Sequence, residues 1–331
     1  MSKISFLSLA DKLRTEGDAY RVLEEMRWGD QPVCPHCGSV RKHYFLTPKG
    51  GISRKTRTGS QSERRVWKCA DCRKQFSATN NTIFHGSKIP LRIWLLVIFD
   101  ACTAKNGISA REVERKYGLT AKTAWFLMHR LREAMKREPI AGLLSGRVIV
   151  DETYYGGTPK NRHGHKRAKK QRLQGQTDKT PIVALVSRET GEVRSQAIPN
   201  VRAENLKPIL QANINTKRAH LHTDSGMHYA SLAEPFAAHS TVDHKAGEYV
   251  RQDVTTNHAE TYFSQLKRSL DGTFHHVSRE HLHRYLTEFD FRYTTCKLSD
   301  VERVDLLVSR TAGRRLMYRE PASVQGFAAR L

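Results

Sequence analysis

Long hydrophobic runs are missing from this chain. The longest strongly apolar stretch, Ile93–Phe99, falls far short of the roughly 20 residues that a helical membrane crossing needs. The opening residues, MSKISFLSLADKLR, lack an apolar core followed by a small-residue cleavage site, so export is not expected. Acidic residues are scarce: 33 Asp and Glu stand against 56 Lys and Arg, giving a formal charge of +23 and a pI near 10.0. A polyanion is then the natural partner, because a basic surface concentrates phosphates and releases their counterions. Ribosomal and membrane-surface proteins are basic too, so charge alone selects no enzyme. Cysteine is also sparse. Four of the six cysteines fall in two CxxC pairs, which in a basic, unexported chain reads as metal ligation in a reducing cytoplasm, not as a disulfide frame. No internal repeat is visible, and the last 30 residues carry no readable chemistry. A hydrophobic content of 38% excludes a mostly disordered chain, and 331 residues suffice for two or three compact units.

What is present divides into five segments. Residues 1–30 read as helical, with one helix over 5–25 carrying Phe6, Leu9, Leu13, Tyr20 and Leu23 among charges. The cysteine-bearing unit covers 31–80, and its middle, GGISRKTRTGSQSERR, reads as a flexible basic loop. Residues 87–138 are helical in pattern: Pro90 suits a first helical turn, and Ser109 and Glu112 have capping-box spacing. Gly118 offers a turn and Thr120 a cap for a third helix.

From 145 to 300 the pattern turns to strands. RVIVDE is an apolar strand ending in an acid, and TPIVALVSR and GEVRSQAIP flank a hairpin at Glu189-Thr190-Gly191. A helix over 201–213 precedes AHLHTD, a second strand ending in an acid. A helix near 227–236, a fifth strand over 238–243 and helices over 256–270 and 279–294 complete the segment, and 301–331 form a C-terminal extension. The fold class expected is α/β.

Cys34-Pro-His-Cys37 and Cys69-Ala-Asp-Cys72 each set two sulfurs on one tight turn. Four thiolates satisfy the tetrahedral preference of Zn²⁺, and such an ion supplies folding energy to a unit too small for a core. The long spacer between the pairs is taken up by the basic loop. The competing reading is two unrelated reduced pairs. His36 and His43 lie nearby and read as surface residues, and Cys102 and Cys296 as small buried hydrophobes.

Residues 108–137, ISAREVERKYGLTAKTAWFLMHRLREAMKR, resemble a helix-turn-helix. The second helix would offer Thr120, Lys122 and Thr123 to a major groove and hold Arg130 and Arg132, with Lys136 and Arg137, near phosphates. An ordinary helical hairpin with solvated basic faces is the competing reading.

The acids carry the chemistry. Nucleotidyl transfer on DNA uses two Mg²⁺ ions about 3.5–4 Å apart, held by carboxylates on rigid elements. Asp151 ends the first strand and Asp224 the fourth, neighbours in a sheet ordered like ribonuclease H. A third ligand is expected from the helix TTNHAETYFSQLKRSL. Asn257 and Glu260 sit about one turn apart there, and Lys267 lies almost directly below Glu260, placed to hold a phosphate. Asn257 and Glu260 both remain candidates for the third position: Asn ligates without charge, Glu adds charge. Glu152 points to the other side of the strand and ranks lower.

Taken in order, CPHCGS, WKCADCRKQFSATNNTIFHGSKIPLRIW, GISAREVERKYGLTAKTAWFLMHRLREAM, VDETYYGG, HTDSGMHY and TTNHAETYFSQLKRSLDGTFHHVSREHLHRYLTEFDFRY resemble the bacterial zinc-ribbon transposases of insertion-sequence family fifteen-ninety-five. The resemblance spans roughly residues 15–296. It implies a zinc ribbon and helix-turn-helix ahead of a ribonuclease-H-like catalytic domain. That domain would cut element ends and join them to target DNA with Mg²⁺, using an Asp-Asp-Asn-Lys or Asp-Asp-Glu-Lys set. Here the set is Asp151, Asp224, Asn257 or Glu260, and Lys267. The partners implied are terminal repeats and target DNA, with a homo-oligomer for synapsis, in a bacterial cytoplasm at the nucleoid. A repurposed, non-catalytic DNA-binding regulator and a structure-specific nuclease are the other readings. The basic segment 158–180 reads as a DNA clamp or a solvated loop, and the basic insertion in the ribbon and the C-terminal extension depart from the family pattern.

Overall fold

The computed structural model describes residues 5–48, 55, 59, 61–137, 142–156, 179–224, 232, 236–242, 250–251 and 254–318. Two compact units result: Met1–Met135 with Leu298–Leu331, and Lys136–Lys297. Among the described residues, no helix is long and apolar enough to cross a membrane.

The first unit opens with two helices where the pattern suggests one: α1 (Phe6–Lys12) and α2 (Glu16–Trp28). A capping box restarts the chain at Thr15, whose hydroxyl accepts from Asp18 N–H while the Asp18 carboxylate accepts from Thr15 N–H. Three two-residue strands follow, β1 (Tyr44–Phe45), β2 (Trp67–Lys68) and β3 (Gln75–Phe76), antiparallel in that order. Next come α3 (Leu91–Thr103), α4 (Ala110–Tyr117) and α5 (Ala121–Met135). Pro90 sits just ahead of α3, and the Glu16 carboxylate accepts from Leu91 N–H (2.5 Å) and Arg92 N–H (3.2 Å), covering bare donors of that helix. Ser109 caps α4, and Gly118 at φ 63° ends it in the left-handed region that glycine tolerates.

The second unit is a five-stranded sheet between helices. Its elements are β4 (Leu144–Tyr155), β5 (Thr180–Ser187), β6 (Val193–Ala197), α6 (Ala203–Asn213), β7 (Ile214–Asp224) and β8 (Ala238–Val242). A small β9–β10 pair (Val250–Arg251, Val254–Thr255), α7 (Asn257–Ser269) and α8 (Arg279–Thr294) follow. The strand order is β6-β5-β4-β7-β8; β6, β5 and β4 run antiparallel, while β7 pairs parallel with both β4 and β8. Side chains alternate across the sheet. Val148, Val150, Val183, Leu185 and Leu221 join the core with Leu206 and Leu210 of α6. Ile149, Ile182, Ala184 and Val186 face Ala259, Tyr262, Phe263 and Leu266 of α7 and Leu282 and Phe289 of α8. The expected helix over 227–236 lies outside the described residues except for Leu232 and Phe236, as do the basic segment 158–178 and most of the loop 50–60.

After the second unit the chain returns to the first with α9 (Asp300–Ser309), started by a capping box between Ser299 and Glu302. It packs on α2 and α3. Arg303 Nη1 donates to the carbonyl of Cys102 at the end of α3 (2.6 Å).

One buried polar network fixes α7 on the second unit. Asp290 of α8 accepts from Ser195 N–H (2.8 Å), Ser195 Oγ (2.7 Å) and the Tyr262 hydroxyl (2.7 Å). Burial pushes Asp290 up to about 7, against the pull of the Ser195 and Tyr262 hydrogen bonds. Tyr262→Phe leaves those acceptors short of a donor and is expected to cost about 1–3 kcal/mol. A urea midpoint equal to wild type would show that the network adds no stability.

Candidate metal centre and carboxylate cluster

The thiols come together as the spacing predicts. Cys34 and Cys72 sulfurs lie 3.7 Å apart, Cys37 and Cys69 sulfurs 3.6 Å, and all four sit within 4.8 Å of one another. A tetrahedron with Zn–S bonds of about 2.3 Å has edges of about 3.8 Å, so the four-cysteine cluster fits a structural Zn²⁺. Among the described residues it is the one metal-ligating group gathered so closely.

Each pair sits on a tight turn: Cys34 N–H donates to Ser39 O (3.0 Å) and Cys69 N–H to Lys74 O (3.0 Å). Gly38 and Arg73, just after the second cysteine of each pair, take positive φ (73° and 59°) to close the turns. His43 is not the surface residue that its sequence context suggests. It is 7% exposed, and its Nδ1 accepts from Ala70 N–H (3.3 Å) while Nε2–H donates to Ser39 O (3.0 Å). It bridges the two turns, leaving ligation to the thiols. His36 is exposed, with Nε2 3.2 Å from Gln75 O.

At the start of α5, Thr120 and Lys122 are exposed, Thr123 is partly so, and Thr123 N–H donates to Thr120 Oγ1 (3.3 Å). The structure differs from expectation at Arg130 and Arg132, which are 6% and 2% exposed. Arg130 Nη2 donates to His85 O (2.7 Å), and its guanidinium lies over the Trp94 ring. Residues 127–132 of α5 are all buried, so a charge pattern drawn for a helix with one wet face misplaces these two arginines.

Asp151 lies within β4, not at its end, because the antiparallel ladder with β5 continues to Tyr155↔Thr180. On the other side, the β4–β7 register closes with Ile149↔His222, and two residues further on Asp151 stands level with Asp224, where β7 stops. Alternation puts Asp151 on the face of Ile149, the face that α7 covers. Both aspartates are half-buried. Burial pushes Asp151 up to about 7; Glu152 N–H, donating to Oδ1 (2.8 Å), opposes this, and the charges of Glu152, Asp224 and Glu260 add to it.

Glu260 is exposed in the first turn of α7, where its Oε1 accepts from the hydroxyl of fully buried Thr256 (3.1 Å). Sequence reasoning missed this contact, because a Thr four residues before a Glu gives no signal of its own. Asn257 is exposed at the first position of α7, and Lys267, also exposed, lies two turns beyond Glu260 on the same side.

The sequence matches known proteins on both units. The ISXO2-like transposase domain profile matches residues 143–294, and the transposase zinc-ribbon domain profile residues 14–75, together more than half of the chain. A relative from Halobacterium salinarum, described as an uncharacterized protein in transposable element ISH50, is 27% identical over 286 residues. That match covers 84% of this chain and 90% of the relative. Among solved structures, a chain in the simian T-cell lymphotropic virus intasome in complex with PP2A regulatory subunit B56 gamma matches at 14% identity and a TM-score of 0.28. The match covers 52% of this chain and 61% of that one, and so slight a likeness carries no weight. Ribbon and transposase domain both point to insertion-sequence family fifteen-ninety-five, and the chain belongs to it.

Proposed function

We propose that this chain is a DNA transposase that binds the terminal repeats of its element, cuts them in a Mg²⁺-dependent step and joins them to target DNA. One observation carries the reading: Asp151 and Asp224 stand level on neighbouring parallel strands, on the α7 side of the sheet, with the charge of Glu260 felt at Asp151. Three hard oxygen ligands of this kind suit Mg²⁺, which when bound activates the attacking oxygen and stabilises the leaving one. The strand order, with three antiparallel strands followed by two parallel ones, supports a ribonuclease-H-like reading of the second unit. Lys267 is assigned to a DNA phosphate. The α4–α5 pair is read as a helix-turn-helix presenting Thr120, Lys122 and Thr123, and synapsis of two ends calls for a homo-oligomer.

The test is incubation with Mg²⁺, a labelled duplex carrying the element's end, and target DNA. Cleaved ends plus joined products are expected. Binding without cleavage would leave a regulator, and cleavage without joining a nuclease.

For the third ligand the reading is Glu260, because its charge reaches Asp151 and Thr256 holds its carboxylate. Glu260→Gln is expected to lower cleavage about 100-fold or more, a rise of about 3 kcal/mol in the barrier, and to raise the Mg²⁺ needed. Asn257→Ala should stay within about 10-fold of wild type. A Mg²⁺ titration of both variants decides, and the reverse ranking would move the ligand to Asn257.

A further inference from the structure

The turn after the zinc ribbon, Ser77–His85, gathers cations from three distant stretches of the first unit. Arg64 Nη2 donates to Ser77 Oγ (3.1 Å) and Asn80 Oδ1 (3.2 Å). Arg130 arrives from α5 and donates to His85 O (2.7 Å). The segment after α9 is pinned to the same turn by the Thr82↔Ala312 bridge and by Gly313 N–H donating to Asn81 O (2.8 Å). Arg315 follows two residues later and is exposed. His85 Nδ1 accepts from Asn81 N–H (3.2 Å), which puts the ring proton on Nε2.

Among the described residues, no carboxylate forms an ion pair with these groups. Glu63, next to Arg64 in the chain, is committed to Gly17 N–H (2.7 Å) at the start of α2. Burial lowers His85, and the charges of Arg315, Arg64 and Arg130 lower it further. Burial, with Arg315 adding, brings Arg130 down to about 10, and Arg130 Nε is buried without a hydrogen-bond partner among the described residues. Like charges held this close form a field that an anion relieves.

We propose that Arg64, Arg315 and His85 form a binding site for one backbone phosphate of DNA, completed by the C-terminal segment, with the buried Arg130 adding positive charge from behind. Guanidinium groups meet a phosphodiester through paired N–H donors, and such a contact fixes the position of the protein on the duplex without reading bases. The site rests on the DNA-binding reading above and gives the segment after α9 a part in it.

The test is fluorescence anisotropy of the full chain with a labelled random-sequence 30-bp duplex over a range of salt. Each phosphate contact contributes about 0.9 to the slope of log affinity against log salt. Arg315→Ala should reduce the slope by about that amount and weaken binding several-fold, with zinc content and melting temperature unchanged. Arg315→Lys, which keeps the charge, should retain the slope. Wild-type affinity and slope in Arg315→Ala would overturn the site alone. So would an equal loss in the Ala and Lys variants together with lower melting, which marks a structural role. A wild-type chain that fails to bind the duplex would overturn the DNA-binding reading and this site with it.

Discussion

Asp151→Asn is expected to lower Mg²⁺-dependent strand cleavage about 1,000-fold or more and to raise the melting temperature of the metal-free protein at pH 8. Both effects have one cause. Asp151 must be ionised to ligate a cation, yet burial first, and then Glu152, Asp224 and Glu260, push it up to about 7. An acid whose pKa is higher folded than unfolded binds more protons in the folded state between the two values. Ionisation therefore costs nothing below about pH 4, and the cost grows as pH rises toward 7 and is complete above it. At pH 8, with allowance for solvent screening at a half-buried carboxylate, the cost is on the order of 2 kcal/mol. Asn removes it, so the variant should melt several degrees higher at pH 8 and match wild type near pH 4. Adding Mg²⁺ should raise the melting temperature of wild type at pH 8 and leave the variant nearly unmoved. Retained cleavage would take Asp151 out of the site; a melting difference independent of pH would take away the electrostatic cause.

Removing zinc should have the other large effect. The ribbon has three strands of two residues each, and its buried cluster is Cys34, Cys69 and Phe76, flanked by Trp28, Trp67 and Cys72. Half of that cluster is metal ligand. Such a unit has little apolar area to set against chain entropy, whereas four-thiolate zinc binding supplies about 10–16 kcal/mol. Cys69→Ser, or a strong chelator, should release one zinc per chain and open residues 31–77 to protease. Duplex binding should fall at least 10-fold while the second unit keeps its protection. A zinc-free protein with unchanged proteolysis would mean that the ribbon folds without its ion.

Much of this was legible in the sequence because local signals and tertiary demands agree. The CxxC pairs met, Ser109 and Gly118 bounded α4, Glu189–Gly191 turned between β5 and β6, and α8 spans Arg279–Thr294 as expected. What escaped depended on neighbours that a linear reading cannot see. Asp151 is inside its strand because β5, 29 or more residues later, extends the ladder beyond it. Arg130 is buried because Trp94 and His85, from other segments, enclose it. His43 is a bridge only once Ser39 and Ala70 are side by side. Thr15 was the opposite case, a local signal overlooked: its capping box with Asp18 was there to read, and apolar spacing hid it under one long helix.

The return of α9 to the first unit has a consequence for how the chain is made. The second unit is continuous in sequence and can fold as soon as it leaves the ribosome. The first cannot finish until α9 is translated, roughly 160 residues after α5 ends, which at about 5–20 residues per second is a wait of about 10–30 seconds. Through that interval the faces of α2 and α3 that α9 covers stay bare. A nascent chain cut off within the second unit would therefore lack both α9 and Arg315. If the cut fell after β7, it would carry the carboxylate-bearing strands with an unfinished ribbon-and-helix unit, so synthesis in chain order completes that unit only once α9 has emerged.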